Sequence, residues 1–311
     1  MAAISIPVIN RFMYMESQLA MGLKELTKRQ IIPIIDYAVE GKSDRRSQNE
    51  FAEKFRNLVQ SHGDNYHALK PSSVGFRGDR MNELVKLAIE NGCRVLVDAE
   101  EDASHKEVCA LSNGLLEVHN EDACNIFKTY QMYRKDSLER LEMDLYASKR
   151  DGWWHGVKLV RGAYLMRDRS TGMLYNTKEE TDESYNKAVK MLLEEMKDTE
   201  NFNNSNNSDD NYSNVSGPRL EVIFATHNEE SVELALEMSR GLRREVQDQM
   251  YFATLMGMGD DVTRLCLDEG HQVMKYVPFG PIPEMFPYLL RRLDENRDIF
   301  KHMKKNCIVR M

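Results

Sequence analysis

Two adjacent arginines, in the run Tyr288-Leu-Leu-Arg291-Arg292-Leu-Asp-Glu295-Asn296, carry the most suggestive chemistry in this chain. Positions 288, 291, 292 and 295 recur at i, i+3, i+4 and i+7, so a helix here sets Tyr288, one or both arginines and Glu295 on one polar, aromatic face. Two readings fit that face. It is a surface stripe with an internal ion pair, or it is a pair of planar donor forks suited to gripping a carboxylate, with Glu295 holding one of them. The second reading calls for a small carboxylate substrate.

Other polar residues stand where apolar runs end. Lys70 closes one run, and Asp98 closes the next, with Glu100 and Glu101 following. Lys158 and Arg161 lie in a run that reaches Gly162; Thr226, His227 and Asn228 close another; Lys275 and Tyr276 sit in the last. A single charge at a strand end is commonly just solvated. Five runs ending this way favour a site assembled at the C-terminal ends of parallel strands.

The elements that must position these groups are short apolar, β-branched runs alternating with longer amphipathic stretches. The runs are Ile31 to Asp36, Tyr66 to Lys70, Arg94 to Asp98, Asn125 to Tyr130, Val157 to Arg161, Glu221 to Thr226, Met250 to Leu255 and Gln272 to Val277. Helical patterns between them include Phe51 to Val59, Met81 to Glu90, Lys178 to Met196 and Ser231 to Arg240. The first follows a capping-box-like Ser47 with Glu50. Eight strand-plus-helix repeats predict one α/β domain, a closed (β/α)8 barrel over residues 31–300, with an N-terminal helical segment over 1–30 and a basic tail over 301–311. An open doubly wound sheet would be expected to carry a Gly-rich nucleotide turn after its first strand, and Ile31 to Gly41 has none. Residues 199–218, rich in Asn and Ser, are too polar to offset the entropy of ordering and are expected to form a disordered insertion. Their N-x-S/T triplets read more simply as a polar loop than as glycosylation sites.

Composition narrows the partners. The 311 residues hold 42 basic and 50 acidic side chains, a net charge of -8, which argues against nucleic acid. Five scattered cysteines suggest neither a disulfide framework nor a metal site, and point to a reducing compartment. No apolar run is long enough to span a bilayer, so membrane contact would be peripheral; Lys301, Lys304, Lys305 and Arg310 could touch an anionic surface, although a solvated terminus is the simpler reading. With Arg11 its only base in the first twenty residues, the N-terminus is a poor transit peptide and a poor secretory signal.

The segments Lys158-Leu-Val-Arg-Gly-Ala-Tyr164, Phe224-Ala-Thr-His-Asn228, Leu255-Met-Gly-Met-Gly259, Tyr276-Val-Pro-Phe-Gly280 and Tyr288 to Asn296 closely resemble the proline dehydrogenase family. Ile34 to Glu40, Asp98-Ala-Glu-Glu101 and Thr129-Tyr-Gln131 extend the likeness, which covers roughly residues 31 to 297. The resemblance implies a distorted (β/α)8 TIM-like barrel with its last helix over the C-terminal mouth, noncovalently bound FAD, L-proline as substrate and a quinone as electron acceptor. It implies that Arg291, Arg292 and Lys70 grip the proline carboxylate, that Glu295 orients the arginines, and that Asp98 bonds to Tyr276. Tyr276, Tyr288 and Leu255 would enclose the pyrrolidine ring. Lys158 would lie near the reactive edge of the flavin, where its charge favours the reduced form. Val160, Arg161, Gly162, Ala163 and Tyr164 would line the cofactor, and Thr226, His227 and Asn228 would contact its ribityl and phosphate groups.

Departures from the family pattern are informative. Bacterial relatives usually carry Arg at the position of Lys158 and Lys at that of Arg161, so the chain is more similar to the eukaryotic branch; a mitochondrial matrix-face location is expected for a eukaryotic protein and a cytoplasmic one otherwise. A flavin-contacting Gln of bacterial relatives falls at Lys128, three positions before Gln131, and Gln131 is taken as its counterpart. Tyr276 would crowd a ring hydroxyl, favouring proline over hydroxyproline. Rival readings are a hydroxyproline dehydrogenase, a class I aldolase using Lys158 or Lys70, and a non-catalytic proline-binding relative.

Overall fold

The computed structural model describes residues 11–38, 44–205, 219–282 and 284–285, with 199–205 as backbone only. Among them eight parallel strands close into a barrel in chain order. These are β1 (Ile31–Tyr37), β2 (Tyr66–Leu69), β3 (Arg94–Val97), β4 (Ile126–Gln131), β5 (His155–Val160), β6 (Leu220–Ala225), β7 (Met250–Leu255) and β8 (Gln272–Phe279). The seam between first and last strand is the longest pairing, from Ile31 opposite Val273 to Tyr37 opposite Phe279.

Both faces of such strands are covered, so they read as continuous apolar runs rather than alternating ones. The two-residue period nevertheless separates two environments. Ile34, Ala68, Leu96, Phe127, Ile223, Ala253 and Met274 form a layer inside the barrel. Their neighbours Val95, Tyr130, Leu159, Val222 and Phe252 face outward into the helical ring. The helix Lys178–Ser205 answers with Tyr185, Val189, Leu192 and Met196, a helical-period stripe packed on β5 and β6.

Several sequence boundaries move. The helix Arg45–Ser61 starts a turn before the expected capping box: Asp44 caps it by accepting the backbone N–H groups of Arg46 and Ser47, which leaves Ser47 inside the helix. The helix from Lys178 continues to Ser205, seven residues into the stretch read as a disordered insertion; residues 206–218 lie outside the described residues. Strand β4 runs one residue further than expected, to Gln131. Residues 16–28 are helical, but Tyr14 ahead of them bridges in parallel to Phe279, so the N-terminal segment is joined to the barrel rather than set apart. Among the described residues no helix is long and apolar enough to cross a membrane.

Candidate active site at the strand ends

One two-residue step from the interior layer toward the C-terminal ends reaches Asp36 from Ile34, Lys70 from Ala68, Asp98 from Leu96, Leu255 from Ala253 and Tyr276 from Met274. The same parity brings Lys158 and Val160 inward on β5 and Gln131 inward on β4. Residues spread across the whole sequence therefore meet at one mouth.

Their side chains interlock. Lys158 Nζ donates to Asp98 Oδ1 at 2.7 Å and lies 4.7 Å above the ring of Tyr276, whose hydroxyl donates to Asp98 Oδ2. Lys70 Nζ donates to Asp36 Oδ1 at 2.5 Å and stands 3.5 Å from Asp98 Oδ2. Charges thus alternate along a buried chain. Burial opposes the charge on Asp98, but Lys158 and Lys70 outweigh it and, with the Tyr276 hydroxyl, hold its pKa down at about 2. Asp36 shifts the other way: burial raises its pKa, Lys70 opposes this only in part, and its buried Oδ2 has no hydrogen-bond partner.

A second group lies across β4 to β6. Arg161 spends its fork on Asp182 Oδ1 at 2.6 Å, Thr226 Oγ1 at 2.5 Å and Ser231 Oγ at 2.9 Å, with its guanidinium 4.4 Å from the centre of the Tyr185 ring. Asn228 caps the helix Glu229–Ser239 by accepting from the backbone N–H of Ser231, and its own N–H donates to Thr226 Oγ1. His227 Nε2 accepts the backbone N–H of Leu255 at 3.0 Å, so the imidazole is neutral with its proton on Nδ1; desolvation, with Lys275 and Arg161, lowers its pKa to about 3. Gln131 Nε2 donates to the Glu100 carbonyl at 3.0 Å. Gly162 has φ +139, and a Cβ there would lie 2.5 Å from the Tyr133 ring, so the loop that continues through Ala163 and Tyr164 passes directly over that tyrosine. Val160 to Tyr164, His227, Asn228 and Leu255 are partly exposed, whereas the strand residues beneath them are buried. They are the solvent-accessible part of the mouth among the described residues.

Four expected residues, Tyr288, Arg291, Arg292 and Glu295, lie outside the described residues. Two ambiguities are decided by parity. Lys128 points outward, donating to Asn113 Oδ1 at 2.6 Å and Asp144 Oδ2 at 2.5 Å beneath the helices, so Gln131 is the β4 residue that faces the mouth. Lys275, grouped by sequence with Tyr276, also points outward: its Nζ donates to the Met258 carbonyl at 2.5 Å, and burial lowers its pKa to about 8.

Sequence reasoning missed Asp36, although it ends the first run just as Lys70 and Asp98 end theirs. It also missed Asp168, which accepts the Tyr133 hydroxyl at 2.8 Å and the Asp102 backbone N–H at 3.0 Å, tying together the loops after β3, β4 and β5. Nothing in the local sequence around Asp168 marks that role.

Comparison with known proteins gives the family. The family described as proline dehydrogenase matches residues 20–305. Human mitochondrial proline dehydrogenase 1 is 34% identical over 71% of this chain and 35% of its own length. The carbapenem antibiotics biosynthesis protein CarD of Pectobacterium carotovorum is 31% identical over 87% of this chain and 73% of its own length. Proline utilization A from Bdellovibrio bacteriovorus, solved after inactivation by N-propargylglycine, superposes with a TM-score of 0.79 over 92% of this chain and 32% of that one, at 19% identity, a likeness of fold. The chain spans about a third of the length of the human relative. With a matched segment that includes every strand of the barrel and every mouth residue named above, the chain belongs to the proline dehydrogenase family.

Proposed function

We propose that the chain oxidises L-proline to pyrroline-5-carboxylate with FAD at the barrel mouth. The observation that carries this reading is the convergence of Lys70, Lys158 and Tyr276 on one buried carboxylate, Asp98, at the inward C-terminal ends of β2, β3, β5 and β8.

The donor set at the mouth suits a flavin dinucleotide. Gln131 and Lys158 offer side-chain donors on β4 and β5, while Gly162 to Tyr164 offer a loop lying close over Tyr133. Thr226 to Asn228 lead into a capped helix N-terminus beside Arg161, a setting that favours a phosphate. When bound, FAD would accept hydride from ring carbon C5 of proline and pass electrons to a quinone. The chain's own residues bind and orient. Lys70 supplies one cation for the substrate carboxylate, with Arg291 and Arg292 as its proposed partners; Glu295 orients the arginines. Leu255, Tyr276 and Tyr288 enclose the ring, and Asp98 fixes both the Tyr276 hydroxyl and the Lys158 ammonium. Such preorganised charge in a dry site acts on the barrier without rearranging during the reaction. Lys70 and Lys158 are each committed to ion pairs, which suits fixed cations better than amine nucleophiles. For a eukaryotic protein the proposal places it at the matrix face of the mitochondrial inner membrane, and in the cytoplasm otherwise.

The test is anaerobic addition of L-proline to FAD-loaded protein. Bleaching of the flavin bands supports the dehydrogenase. Persistent bands would leave a binding protein, and trapping of a carbonyl substrate by borohydride without flavin would leave an aldolase. Faster bleaching by hydroxyproline than by proline would transfer the activity to that substrate.

A further inference from the structure

Strand β7 leaves β8 at Leu255: the Met256 N–H donating to the Tyr276 carbonyl at 3.0 Å is its last contact, and Gly257, with φ +78, turns the chain away. Two residues further along β8 the vacated edge is taken by the N-terminal segment. Tyr14 donates its N–H to the Pro278 carbonyl at 3.0 Å and accepts the Gly280 N–H at 3.2 Å. The fit to the β7 loop is close. A Cβ at Gly257 would lie 2.4 Å from the Arg11 carbonyl oxygen, and Arg11 reaches Asp260 at 3.7 Å. Phe12 and Met13, the latter 1% exposed, form an apolar cluster with Ala38, Met258 and Met285, against which Leu255 packs from the mouth side. Arg11 to Tyr14 precede the segment matched by the family, residues 20–305, while the strand and loop they contact lie within it.

We infer that Phe12 and Met13 are positioning residues of the substrate pocket: they form the outer layer behind Leu255 and set how far that side chain reaches into the mouth. The inference rests on the proposed activity for its substrate and on geometry alone for its contact. His227 holds the backbone of Leu255 from one side and Lys275 holds the Met258 carbonyl from another, and the N-terminal segment supports the loop from a third. A pocket wall backed in this way discriminates ring size by how much it yields.

Met13→Ala in the full chain tests it through two readouts. Amide hydrogen exchange of the 255–259 peptide, measured without substrate, is expected to quicken about tenfold. The KM for L-proline is expected to rise about fivefold with kcat little changed, while the six-membered homologue, piperidine-2-carboxylate, gains relative to proline and Met13→Leu restores both. If Met13→Ala does not fold, Phe12→Leu replaces it with the same expectations at smaller amplitude. Exchange in 255–259 equal to that of the unsubstituted protein would overturn the inference, as would an unchanged KM and ring preference in a protein that turns over proline. Failure of the unsubstituted protein to be reduced by proline would instead remove the proposed activity, leaving the exchange comparison to decide the contact.

Discussion

The barrel carries a buried ion-pair network at each end, and the two are built differently. At the N-terminal end Arg94 NH1 donates to Glu221 Oε2 at 2.6 Å, the Tyr251 hydroxyl donates to that same oxygen at 3.0 Å, and Tyr66 accepts from Arg94 at 3.0 Å. Tyr66, Phe127 and Tyr251 pack around it with ring centres 5.9 to 6.4 Å apart. One cation, one anion and two hydroxyls satisfy one another beside these aromatic rings, with the Arg94 side chain half-buried at the rim. At the C-terminal end Asp36, Lys70, Asp98 and Lys158 alternate, with the Tyr276 ring against Lys158; Asp36 keeps a buried oxygen without a partner, and partly exposed Leu255 and Val160 stand beside them. A closed network stabilises. One with polar capacity left over has the groups that the proposed substrate and flavin would use.

Acidification should erode both ends together, because it acts on buried histidines in the strands they share and in the helical ring around them. Desolvation lowers the pKa of His67 and His105 to about 4 and of His155 to about 3, while the unfolded chain titrates these imidazoles near 6.5. The unfolded state therefore binds more protons below that value. Stability is full above it and falls toward pH 3, by about 1.4 kcal/mol per unit for each imidazole. Denaturant midpoints compared at about pH 7.5 and about pH 5.5 check this, and equal midpoints would contradict it.

Arg94→Met should separate the two ends. Glu221 is left buried without its cation, at a cost of about 3 kcal/mol in unfolding free energy, while the KM of the folded enzyme holds. A protein of full stability with an altered KM would reverse the roles assigned to them.

Tyr276→Ser opens the mouth alone. The ratio of kcat/KM for hydroxyproline over proline should rise about tenfold as space for the ring hydroxyl appears. Steady-state assays with both substrates check it, and an unmoved ratio would remove Tyr276 from the pocket wall. The smallest effect is expected on β4: Gln131→Ala should weaken FAD binding roughly fivefold by losing one neutral donor, whereas Lys128→Met should leave FAD affinity alone and lower stability. Titration of FAD into apoprotein decides between them.

The eight strands are legible because strands buried on both faces read as unbroken apolar blocks. Lys70, Asp98, Lys158 and Tyr276 are legible because each interrupts such a block near its end. Gln131 and Lys128 differ only in parity, and parity depends on where β4 begins, which the residues around Asn125 leave open by one step. Asp36 escapes notice because its partner is Lys70 on the next strand, and a lone terminal aspartate looks solvated. The bridge from Tyr14 to β8 leaves no trace in side-chain pattern at all, since backbone atoms make it across most of the chain's length.

The most direct test is the rate of anaerobic flavin bleaching by saturating L-proline in Asp98→Asn, at flavin occupancy equal to that of the unsubstituted protein. Loss of the carboxylate charge deprives Lys158 and Lys70 of their shared partner, so the account predicts bleaching at least about tenfold slower with the flavin still bound. Bleaching at the unsubstituted rate would show that the network at the C-terminal end is structural and that the site lies elsewhere.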